Sequence, residues 1–110
     1  MEANEYQALA LRTSNKALDM KGHLINGALG LCGESGEVAD IVKKSYMQGH
    51  PLNREHIAEE LSDVYWYLAE TAAAIGYTLD EIQMMNVNKL RRRYPDEEGF
   101  STERSVNREG

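Results

Sequence analysis

The sequence predicts an all-α protein, an antiparallel bundle of about four helices completed by oligomerisation. Three observations lead there. Apolar residues recur at spacings of three and four along most of the chain, the period of one helix face. Val and Ile are sparse and period-two alternation is absent, so strands have no signal. Helix breakers at Gly49, Pro51, Gly76 and Pro95 cut the chain into helix-sized pieces joined by short loops.

The first helix is expected over residues 3–17, with Tyr6, Leu9, Thr13 and Ala17 as its stripe. The second is expected over 23–46, with Ala28, Leu31, Cys32, Ser35, Val38, Ala39 and Val42 on one face. After the turn at Gln48-Gly49-His50-Pro51, Asn53 suits an N-cap. The third helix then runs to about residue 75, with Ile57, Leu61, Val64, Leu68 and Ala72 as its stripe, and Gly76 ends it. Thr78 with Glu81 three places on is a capping box for the fourth, which continues to Arg93 before Pro95. Residues 1–95 read as one helical domain, and 96–110 as a polar tail without a period.

The chain has 110 residues and a formal net charge of −6. A small domain buries a thin core, which is why oligomerisation is expected. The acidic balance argues against nucleic-acid binding, which runs on exposed positive charge. Cys32 is the single cysteine, so no internal disulfide can form and a reducing compartment is expected. No basic, apolar leader opens the chain and no apolar run reaches membrane-spanning length. The expected location is the cytoplasm, with no membrane partner.

Chemistry concentrates in two short stretches. Glu34 and Glu37 lie three residues apart, as do Glu60 and Asp63. On a helix that spacing puts both acids on one face. Both pairs also adjoin apolar stripes, where like charges repel and resist desolvation. Two solvated helix faces would explain them, with Lys43 and Lys44 as partners. A divalent cation explains them better, and all-oxygen ligands suit a hard ion, magnesium with manganese as substitute. A di-iron bundle needs Glu-x-x-His, a pattern this chain lacks. Zinc would want more than one Cys and three scattered His. Ser35 lacks the spacing of a hydrolase nucleophile elbow. The glycines at 27, 30, 33 and 36 suggest close helix approach, clearance beside Glu34 and Glu37, or both.

Asn86, Lys89 and Arg93 share one face of the fourth helix, inside the run Lys89-Leu90-Arg91-Arg92-Arg93. Basic residues suit a helix C-terminus, and they also suit a polyphosphate. Tyr67, four residues after Asp63, is placed for its hydroxyl to reach the same site. His23, His50 and His56 form no cluster and receive no role.

These residues resemble the MazG-like all-α nucleoside triphosphate pyrophosphohydrolases, whose pattern is Glu-Glu-x-x-Glu on one helix and Glu-x-x-Asp on the next. The resemblance runs over residues 24–95. It rests on Gly33-Glu34-Ser35-Gly36-Glu37, Glu60-Leu61-Ser62-Asp63, Asn86-Val87-Asn88-Lys89 and Arg93-Tyr94-Pro95, and Gly99-Phe100-Ser101 looks like the tails of small members. One departure is Gly33, which stands where the family has the first Glu of the doublet. The resemblance implies magnesium-dependent cleavage of an NTP or dNTP between the α and β phosphates, in nucleotide house-cleaning. It implies Glu34, Glu37, Glu60 and Asp63 as metal ligands, and Glu37 as the residue that orients or deprotonates the attacking water. It implies Asn86, Lys89 and Arg93 on the phosphate tail, Glu59 outside the ligand set, and a homodimer or homotetramer. Two alternatives remain: a phosphoribosyl-ATP pyrophosphohydrolase of the same fold, and a non-catalytic helical interaction module.

Overall fold

The computed structural model describes residues 1–96. Most of the expected tail, including Gly99-Phe100-Ser101, lies outside the described residues. Four helices are found in order: α1 (Ala3–Leu11), α2 (Met20–Gln48), α3 (Arg54–Ala74) and α4 (Leu79–Arg93). No strand occurs among the described residues. The chain divides into two compact units, residues 1–79 and the part from Asp80 onward.

In the first unit, α2 and α3 form an antiparallel hairpin. Gly27 meets Thr71, Gly30 meets Tyr67, and Glu34 meets Glu60 and Asp63. The residue numbers of each pair sum to nearly the same value, as antiparallel pairing requires. The hairpin ends are set by local chemistry. Asp19 caps α2 by accepting from the Gly22 N–H at 2.8 Å. Gly49 ends it in the left-handed conformation, φ 74°, which glycine adopts without a Cβ penalty. Asn53 caps α3 as expected, accepting from the His56 N–H at 3.0 Å. Each such cap contributes about 1 kcal/mol. At the far end Gly76 turns the chain with φ 82°, and α4 begins directly after Thr78.

α1 lies against α3. Tyr6 stacks on Tyr65 with ring centroids 4.7 Å apart. Buried Gln7 donates to the carbonyls of Ala69 and Tyr77, each at 3.2 Å, and accepts from the Leu79 N–H at 3.0 Å. One side chain thus satisfies three backbone groups that burial would otherwise strand.

Several boundaries and faces differ from expectation. α1 stops at Leu11, six residues short, because Thr13 and Ser14 hydroxyls bond back to the Ala10 and Leu11 carbonyls at 2.7 and 2.9 Å. Asn15 then accepts from the Ala17 N–H at 3.0 Å. Short polar side chains competing for backbone groups end helices in this way. The buried line of α1 is Gln7 and Ala10, while Leu9 of the expected stripe is exposed. α2 turns a different face inward. Gly27, Gly30, Leu31, Glu34, Val38 and Ile41 lie on the packed side, whereas Ala28, Cys32, Ser35, Ala39 and Val42 are exposed. The reason is steric: at Gly27 and Gly30 a Cβ would collide with Thr71 and with the Tyr67 ring. Glycine there lets the helices approach. Leu61 of the α3 stripe also faces outward. No helix among the described residues is long and apolar enough to cross a membrane.

Candidate metal centre and substrate groove

Glu34 reaches the site from α2, and Glu60 and Asp63 from α3. One carboxylate oxygen from each lies within 4.8 Å of the others. Glu34 and Glu60 are half-buried and Asp63 is exposed. The i, i+3 spacing aims Glu60 and Asp63 at the same side, and the antiparallel register brings Glu34 across to them. The electrostatic result is visible at Glu34. A hydrogen bond with Glu60 pushes its pKa from 4.5 up to about 7, helped by burial and by the charges of Glu60, Asp63 and Glu37. Glu34 therefore holds its proton more tightly than an isolated carboxyl would. Such a trio of hard oxygen donors fits a divalent cation of the magnesium class. Tyr67 joins Glu34 and Asp63 in lining the adjoining pocket, together with Trp66.

The remaining expected residues sit elsewhere. Glu37 is exposed one turn along α2 and is not in the trio. It borders a neighbouring depression with Asp40, Lys44, His50 and His56. Lys44 is bound to Asp40 at 2.9 Å. Glu59 is exposed. In the second unit, Asn86 and Lys89 line a depression on α4 with Ile82 and Met85, and Arg93 is half-buried at the helix end.

The four glycines divide into two roles. Gly27 and Gly30 serve helix approach, while a Cβ at Gly33 or Gly36 would meet open space beside the acids.

Three residues escaped the sequence reading. His56 pairs with Glu60 through Nε2 at 3.3 Å. Its i, i+4 spacing was the available signal. Trp66 is anchored by its indole N–H to the Ala10 carbonyl at 3.1 Å and the Thr13 hydroxyl at 2.9 Å. His23 binds buried Glu70 at 3.0 Å, a contact 47 residues apart in the chain that no local pattern announces.

A family model, the MazG nucleotide pyrophosphohydrolase domain, matches residues 25–97. The chain belongs to the MazG family. That match contains all three acids of the cluster. A relative, the Gene 37 protein of Mycobacterium phage L5, is 38% identical over 69 residues, covering 59% of this chain and 60% of that protein. The match therefore spans less than two thirds of the relative's length. No solved structure matches this chain.

Proposed function

We propose that this protein is a magnesium-dependent pyrophosphohydrolase that cleaves an NTP or dNTP between the α and β phosphates, releasing a nucleoside monophosphate and pyrophosphate, in nucleotide house-cleaning. The observation that carries the reading is the convergence of Glu34, Glu60 and Asp63 within a MazG domain.

Glu34, Glu60 and Asp63 would hold the ion, with Glu37 as the fourth acid or as the group that takes the water proton. A bound magnesium would polarise a phosphoryl oxygen and lower the pKa of its water. The protein's own part is to present deprotonated oxygens and to orient the water. Tyr67 lines the pocket beside Glu34 and Asp63, where its ring can restrict how phosphates lie. Asn86, Lys89 and Arg93 are proposed separately as donors to phosphate oxygens.

The test is hydrolysis of an NTP and dNTP panel with magnesium, products resolved by chromatography. We expect monophosphate plus pyrophosphate, lost at least 100-fold in Glu60→Ala and Asp63→Asn while both variants stay folded. Turnover of no nucleotide, or diphosphate plus phosphate as products, would overturn the reading. Lys89→Ala should raise KM with kcat little changed, and an unaltered KM would remove Lys89 from the phosphate site.

A further inference from the structure

Along α3, Asp63, Tyr67, Glu70 and Ala74 follow at spacings of four, three and four, so they share one face. Facing them on α2, Glu34, Gly30, Gly27 and His23 recur at the same kind of spacing. The end of α1 and the chain after it border the other side through Leu11 and Ser14, and Thr13 holds Trp66. Two cavities lie along this line. One, lined by Glu34, Asp63, Trp66 and Tyr67, adjoins the acid trio. The other, about 360 Å³, has walls from Leu11, Met20, Ala73 and Ala74 and polar groups including His23 and Glu70. That volume falls within the range of small-molecule pockets. Asp63 and Glu70 are seven residues apart, about 10 Å along a helix, which is the span from a nucleotide's phosphates to its base.

The second cavity is poor for phosphate. Its acid, Glu70, is 1% exposed, and its walls are largely apolar. Lys16 at its edge is tied to the Leu11 carbonyl and the Ser14 hydroxyl. Glu70 is a buried carboxylate, costly unless bonded, and both of its oxygens are used. One accepts from the Asn26 amide at 2.9 Å and the other faces His23 Nδ1 at 3.0 Å. The pairing fixes the imidazole and leaves Nε2 as its remaining hydrogen-bonding atom.

We propose that this cavity takes the nucleobase of the substrate, with His23 as the specificity-determining residue and Glu70 as the positioning residue behind it. The planar heterocycle lies among Leu11, Met20, Ala73 and Ala74, and His23 hydrogen-bonds its edge. Trp66, T-shaped against Tyr67 with centroids 5.1 Å apart, lines the phosphate-end pocket one helical turn before Glu70 on α3. The inference rests on the acid trio being the phosphate end.

The experiment uses the single tryptophan, Trp66. Nucleosides without phosphate are titrated into the metal-free protein, and Trp66 fluorescence is followed beside steady-state turnover of the matching triphosphates. We expect a saturable change with at least one nucleoside, the one whose triphosphate has the highest kcat/KM. Ala74→Leu, which fills the cavity, should weaken that binding and raise KM about tenfold, equivalent to about 1.4 kcal/mol. His23→Gln, a milder change, should reorder the bases by KM with kcat retained. Glu70→Gln should shift KM in the same direction. Unchanged KM and base ranking in all three, with turnover still abolished by Glu60→Ala, overturns the base site and leaves the proposed reaction standing. A wild type that hydrolyses no nucleotide overturns the reaction, and the base assignment falls with it.

Discussion

Glu34 has Glu60 against it and Asp63 and Glu37 close by, and this company raises its pKa from 4.5 to about 7. The sign of the consequence follows from linkage. A carboxyl whose folded pKa lies above its unfolded value contributes stability that is present below 4.5 and lost as pH rises through about 7. The metal-free protein should therefore melt at a lower temperature at about pH 8 than at about pH 5, and Glu34→Gln should flatten that trend. Magnesium needs the deprotonated form, so its stabilising shift should shrink below about pH 7, read by thermal melts with and without the ion. A shift equal at both pH values would separate Glu34 from the ion. The acids themselves were legible, because i, i+3 spacing is a local property. Their partners were less legible: His56 sits on Glu60, and Lys44, one of the two lysines considered as partners for the acid pairs, is bound to Asp40.

At the scale of elements, α2 is shaped by which of its glycines are covered. Gly30 faces the Tyr67 ring with no room for a methyl, while Gly33 faces open space. Gly30→Ala should destabilise by about 1–3 kcal/mol through overpacking. Gly33→Ala should stabilise by up to about 1 kcal/mol, the helix propensity difference. Denaturant midpoints check both, and equal effects would contradict the close approach at Gly30. Gln7 is the corresponding device for α1. Gln7→Ala strands the Leu79 N–H and the Ala69 and Tyr77 carbonyls it bonds. The expected loss is about 1–3 kcal/mol, read by the same unfolding curves.

For the whole molecule, the fully buried apolar residues among those described are few and mostly small: Ala10, Ala69, Ala72 and Leu79. Meanwhile Ile25, Leu29, Val42 and Tyr46 of α2 are exposed, at 50, 69, 40 and 74%. Exposed apolar side chains in this number suit an interaction surface, and we propose that they serve the homodimer or homotetramer that the resemblance implies. Light scattering should give a mass of two or four chains, and Val42→Glu should shift it toward one. A wild-type mass of one chain at high concentration would remove the proposal.

The amino-acid sequence by itself determined that the chain is helical, where α3 begins and α4 ends, and that Glu60 and Asp63 share a face. These depend on spacing, capping and breakers, which act over a few residues. Only the tertiary structure decided that α2 packs through Gly27, Gly30 and Glu34 rather than through Ala28, Cys32 and Ala39. Both faces of α2 carry apolar residues at helical spacing, so periodicity could not choose between them. The choice came from how closely α3 can approach, a steric property of Thr71 and Tyr67 far along the chain. The same register joined Glu34 to Glu60 and Asp63, left Glu37 a turn away, and brought His23 to Glu70.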